Sequence, residues 1–210
     1  MRSARDITTK GSRDHRWSHH RLGTLAVVRP PRARRQRGSV LVEAAFVMPI
    51  LMMITFGIIE FGQAYGNAAT VASASRSGAR LAATGYTGAA DKAAYVTSIG
   101  DAVKKDLSAL SNGIPLEMWV YQANSGIPTT CSASTNCWSM TWSTSTRTWS
   151  TPVGGWTNPD GCGAVLDTIG VQVKAQHNFV TKYFGSTKTI TYKTTARLEP
   201  LPSDQCTAGS

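Results

Sequence analysis

The chain has 210 residues, 41% of them hydrophobic, with 22 Lys and Arg against 12 Asp and Glu, a net charge of +10. Residues 1–37 alone hold eleven Lys or Arg and two Asp, a net +9, so about +1 remains for everything after them. A basic tail that abuts an apolar run, with no binding fold beside it, reads as a topogenic signal and sets aside a nucleic-acid partner.

Residues 1–38 form a basic leader whose end stays cytoplasmic. His15, His19 and His20 cluster there with Asp14, and removal of an unstructured leader is a simpler reading of them than a metal site. In Arg37-Gly38-Ser39-Val40-Leu41-Val42-Glu43 the leader ends at a glycine and an apolar helix begins, interrupted by one acid. A peptidase cutting after Gly38 would make Ser39 the new N-terminus and Glu43 the fifth residue. From Ala44 to Ile59 there is no charge. Taken as Val40 to Phe61, the apolar span at about 1.5 Å per residue reaches roughly 33 Å, enough for a hydrocarbon core of about 30 Å. A secretory signal peptide cut among the small residues Ala64 to Ala69 is the competing reading, but its apolar region is usually about 7–15 residues long.

Glu43 is the residue that a plain anchor does not explain. An ionised group at the centre of a spanning helix costs about 2.5–3.5 kcal/mol on insertion scales and is a functional-site hypothesis by default. Cleavage after Gly38 would create an α-amine with a pKa near 8, four peptide units from Glu43. The amine of one subunit and Glu43 of its neighbour would then attract in a low-dielectric surround and set the stagger between helices. The plain alternative is a Glu43 solvated at headgroup depth. Pro49 removes the hydrogen bond to the Ala45 carbonyl and is expected to kink or loosen the helix. Glu60 ends the uncharged run, about 26 Å along the helix from Glu43. It reads either as a contact to a neighbouring subunit, including Arg76 or Arg80 of that neighbour, or as a boundary carboxylate.

Small residues from Gly62 to Ala83 extend the helix into a packing stalk, so that residues 39–83 form one transmembrane and stalk helix. Gly62 and Gly66 make a small-xxx-small pair, and Thr84-Gly85-Tyr86-Thr87-Gly88 reads as a stop and turn. An extracytoplasmic head follows over 84–210. Ala93, Val96, Ile99, Val103, Leu107 and Leu110 recur at three- and four-residue steps, predicting a helix over 89–110. Strands are expected over 116–122, 165–179 (broken or bent) and 187–198, with half-buried alternation in Val171-Gln-Val-Lys-Ala-Gln. Helices followed by a small antiparallel sheet give an α+β, pilin-like fold. Residues 131–159, rich in Ser, Thr and Trp, read as an insertion. Its Trp138, Trp142, Trp149 and Trp156 either cover the core, the favoured reading, or contact a glycan or surface.

Cys131, Cys137, Cys162 and Cys206 all fall in the exported part, where an even count argues for disulfides with three possible pairings. Cys131 with Cys137 and Cys162 with Cys206 is the preferred set, though proximity in sequence favours only the first pair. A metal site is disfavoured, because there is no close Cys-x-x-Cys and His177 is the only histidine in the head. No nucleophile motif surrounds a serine, so neither catalytic residues nor a cofactor are expected.

The segment from Gly38 to Ala83 resembles the TadE-like family of pseudopilins of the tight-adherence secretion system. The matching pieces are Arg37-Gly38, Val42-Glu43-Ala44-Ala45-Phe46 with Pro49, Phe56-Gly57-Ile58-Ile59-Glu60-Phe61-Gly62 and Arg76-Ser77-Gly78-Ala79-Arg80. The resemblance implies processing by a prepilin peptidase and a minor, non-enzymatic role in building an adhesive pilus. It also implies partner pilins and a membrane assembly platform. The alternative function is an uncut, signal-anchored domain that binds a surface through its Trp-rich loop; a secreted enzyme is a third class.

Overall fold

The computed structural model describes residues 36–86, 91–156, 159–162, 165–183, 185–203 and 206; the leader lies outside them. The chain divides into two units, residues 1–45 and 46–210. Helix α1 runs Gln36–Thr84 and α2 runs Lys92–Leu107. Strands follow at Gly113–Gln122 (β1), Cys137–Ser143 (β2), Thr148–Trp149 (β3), Val153–Gly155 (β4), Thr168–Asn178 (β5) and Thr187–Arg197 (β6). The class is therefore α+β, with a long apolar N-terminal helix, a second helix and an antiparallel sheet, as expected.

In the second unit, α1 meets the sheet through a repeating face: Glu60, Asn67, Val71, Ala74, Ser75, Gly78, Ala79 and Ala82 are buried at three- and four-residue steps. Gly85 N donates to Leu81 O at 2.7 Å where α1 ends. Asp91 caps α2 by accepting from Ala94 N at 2.9 Å, satisfying one of the donors that a helix start leaves unpaired. Val96, Ile99, Val103 and Leu107 of α2 are buried as their spacing predicts, whereas Ala93 faces solvent. It lies a single step into the helix, before the buried face begins.

The sheet order is β3-β2-β1-β5-β6, with β4 paired to β2. β5 is continuous rather than broken, since both β1 and β6 pair along it. Its odd residues Ile169, Val171, Val173 and Ala175 join Met118, Val120 and Met140 in the core. Pro115 sits inside β1 at a register shift between Pro115 and Glu117, where a residue without an N–H is tolerated in a central strand. Residues 137–155, within the Ser-, Thr- and Trp-rich segment, belong to the sheet. They supply β2, β3 and β4, because Trp138, Met140 and Trp142 alternate with Ser139, Thr141 and Ser143 as a pleated strand requires.

Disulfides join Cys131 to Cys137 and Cys162 to Cys206, the preferred set. The first closes a separation of 6 residues and the second one of 44. In a chain-entropy account, removing them by serine replacement is expected to cost about 2 and about 4 kcal/mol respectively. Thermal unfolding of the detergent-solubilised protein checks the order; a larger loss from the Cys131–Cys137 pair would refute it.

Candidate functional site

The sequence-predicted residues separate along α1 into an exposed N-terminal part and a part built into the head. In the first unit Gly38, Ser39 and Glu43 are all exposed. No atom would meet a Cβ added at Gly38 within 4 Å. Among the described residues Glu43 has no hydrogen-bond or ion-pair partner, although its surroundings are apolar side chains such as Val42 and Phe46, 59% and 74% exposed. The helix continues through Pro49. From Gly38 to Thr84 it is long and apolar enough to cross a membrane, and its most apolar stretch is wholly unburied by the rest of the chain, which fits a single-pass anchor.

Glu60 is covered by the head. It is 3% exposed, and its Oε1 accepts a hydrogen bond from Thr181 N in the connection between β5 and β6. Its Oε2 is buried without a partner among the described residues. The partner within the described chain is thus a backbone amide 121 residues away. Arg76 and Arg80 lie exposed, lining a shallow groove with Ser73, Ser77 and Asp106.

Two more polar residues on the same face fasten α1 to the head. Asn67 Oδ1 accepts from Ser111 N at 2.9 Å, while its Nδ2 donates to Ser111 O at 2.6 Å and lies 2.8 Å from His177 Nδ1. Ser75 Oγ donates to Val171 O at 2.8 Å and lies 3.0 Å from Thr194 Oγ1. Tyr95 of α2 donates its hydroxyl to Ala82 O. Burial, and then the neighbouring Tyr86, raise the Tyr95 pKa well above the usual phenol range, so the hydroxyl keeps the proton that this bond uses. Buried polar groups that are paired in this way fix one docking of α1 against the sheet.

The small residues of α1 consequently serve two ends. Ala74, Gly78, Ala79 and Ala82 are used within the head. Gly62 and Gly66 stay open, and Tyr65 beside them is 80% exposed. Residues 38–80 match the family model described as TadE-like protein. That matched segment begins at the glycine of the expected cut and ends at Arg80, so it takes in the exposed apolar part and most of the docked part. No curated protein and no solved structure matches the chain.

Outside the TadE-like segment the tryptophans cover the core. Trp156 is 2% exposed, and Trp138 and Trp149 are half-buried against the core cluster. Trp149 Nε1 donates to Gly100 O of α2 at 2.9 Å, and Trp142 packs edge-on against Trp149 with centroids 5.0 Å apart. Trp149, stacked and hydrogen-bonded inside the domain, is a structural element. Sequence reasoning missed Thr181 as the partner of Glu60. It also missed Asp167, 5% exposed, which accepts from Gln122 Nε2, Asn124 Nδ2 and Asp160 N and so ties three segments together.

Proposed function

We propose that the chain is a TadE-like pseudopilin, a non-enzymatic minor subunit of tight-adherence pilus assembly or secretion. A prepilin peptidase cuts after Gly38, and the freed helix packs with other pilins or pseudopilins and with a membrane assembly platform. The observation that carries this reading is Glu43: a carboxylate with no partner among the described residues, on an exposed apolar helix, five residues past a glycine where the family match begins. A carboxylate on such a helix calls for a cation, and the α-amine made by cleavage on a neighbouring subunit is one of the right charge. The cytoplasmic leader and the two disulfides of the head fit opposite sides of a membrane, since disulfides persist in oxidising compartments.

A cut among Ala64 to Ala69, as for a signal peptide, would separate Glu60 from the head and disrupt the end of the helix that carries Asn67, both of which the head binds. Mass spectrometry of the mature N-terminus, from membranes with and without the prepilin peptidase, tests the proposal. A peptidase-dependent start at Ser39 is expected. An intact leader in both strains would sink the processing step and leave a signal-anchored domain.

A further inference from the structure

The connection between β5 and β6 is a rooted hairpin. Phe179 N donates to Ser186 O at 3.0 Å and Gly185 N to Lys182 O at 3.3 Å, while His177 packs edge-on against Phe179 at 4.9 Å. Lys182 takes a left-handed backbone, φ 60°, at the turn. Beyond this root the tip turns apolar groups outward: Val180 is 66% exposed and Tyr183 is 70% exposed, with Lys182 exposed between them. Neither side chain contributes to the core cluster or to its half-buried rim.

The position of this tip is set by Thr181, whose N–H is held by the Glu60 carboxylate. Glu60 marks the end of the uncharged stretch of α1, residues 44–59, and lies at the C-terminal end of the apolar span Val40 to Phe61. A group bonded to Glu60 therefore lies at the depth where the apolar helix leaves the bilayer. A tyrosine, an aliphatic side chain and a lysine are the chemistry of that layer. The phenol sits at headgroup level, the aliphatic group reaches the acyl boundary, and the ammonium extends to phosphate while its stem stays apolar.

We infer that the hairpin tip, through Val180, Lys182 and Tyr183, seats in the headgroup layer of the bilayer that α1 crosses, giving the head a second lipid contact. The inference rests on reading α1 as a membrane span. The surface it uses is continuous with that span through the bond from Thr181 to Glu60. The tip fixes which side of the head faces the membrane, and extraction of the subunit requires its release.

The test uses the full chain with both disulfides intact, so that a cysteine introduced by Val180→Cys is the single free thiol. It is labelled with an environment-sensitive fluorophore, and the protein is placed in phosphatidylethanolamine and phosphatidylglycerol vesicles with or without brominated acyl chains. Met52→Cys, inside the apolar stretch, and Val153→Cys, 64% exposed before substitution, are labelled in parallel. Blue-shifted emission and bromolipid quenching at positions 52 and 180, with neither at 153, is the expected result. Quenching at 52 with solvent-like emission at 180 overturns the hairpin contact alone. Absence of quenching at both 52 and 180 overturns the membrane span and the hairpin contact together. A blue shift at 180 that grows with protein density and is insensitive to bromolipid assigns the tip to a second copy of the chain and overturns the lipid contact.

Discussion

Replacing Glu43 with alanine is expected to abolish incorporation into the pilus or its assembly complex while leaving export, anchoring and head folding intact. Glu43 is in the unit apart from the head and has no bond to lose within the described chain. Removing a charge from an apolar helix in fact eases insertion, by about 2.5–3.5 kcal/mol at the bilayer centre and less near the interface. The cost falls on assembly. Two unit charges about 4 Å apart attract by about 4 kcal/mol at an effective dielectric near 20, which as an upper figure corresponds to about a thousand-fold in association. Glu43→Gln keeps the shape and removes the charge, so the two replacements should fail alike. Immunoblotting of sheared filaments against membranes reads incorporation, and limited proteolysis of the head reads folding. Unchanged piliation in both variants would remove the charge pairing from the mechanism.

Gly78→Leu is expected to prevent the head from folding, and Gly78→Ala to destabilise it. A Cβ at Gly78 would lie 2.7 Å from Val103 Cγ2, 3.1 Å from Val171 Cγ1 and 3.5 Å from Ile99 Cγ2. All three are 0% exposed, and they come from α2 and β5, so relief requires both elements to move. Overpacking of this kind costs about 1–3 kcal/mol for a methyl group, against about 1 kcal/mol of helix propensity gained from Gly to Ala. A leucine adds three further heavy atoms with no space for them, in a domain whose whole stability is about 5–15 kcal/mol. Gly66→Ala is the internal contrast. It meets nothing within 4 Å, so propensity acts alone and α1 is stabilised. Melting temperatures should move in opposite directions for the two alanine variants; a shared direction would refute the packing account.

Much of the architecture was legible because it repeats. Val96, Ile99, Val103 and Leu107 announce α2 by their spacing, and Val171 and Val173 announce β5 by alternation. The same alternation runs through Trp138-Ser-Met-Thr-Trp-Ser, yet hydroxyl-rich composition disguised β2 as a loop, although the period of two was there to be read. On α1 the residues were recognisable and their destinations were not. Glu60 meets an amide 121 positions later, Asn67 meets His177 110 positions later, and Ser75 meets Val171 96 positions later. A helical wheel shows which residues share a face but carries no information about what covers it. Gly78 illustrates the limit: its smallness is visible, whereas the valines that demand it lie on two other elements.

Those long separations also govern the order of events during biogenesis. The face of α1 that the head covers is made early, and the strands that cover it, β5 and β6, are made last. Domains dominated by such non-local pairings fold slowly, because loop closure precedes any reward from contact. Until β5 and the residues that follow it have been made, Ser75 and Glu60 lack the groups that bind them in the finished head, and Cys162 waits for Cys206. Closure of the head is therefore a late step, and the interval before it is when a thiol oxidase or a chaperone has access to the chain.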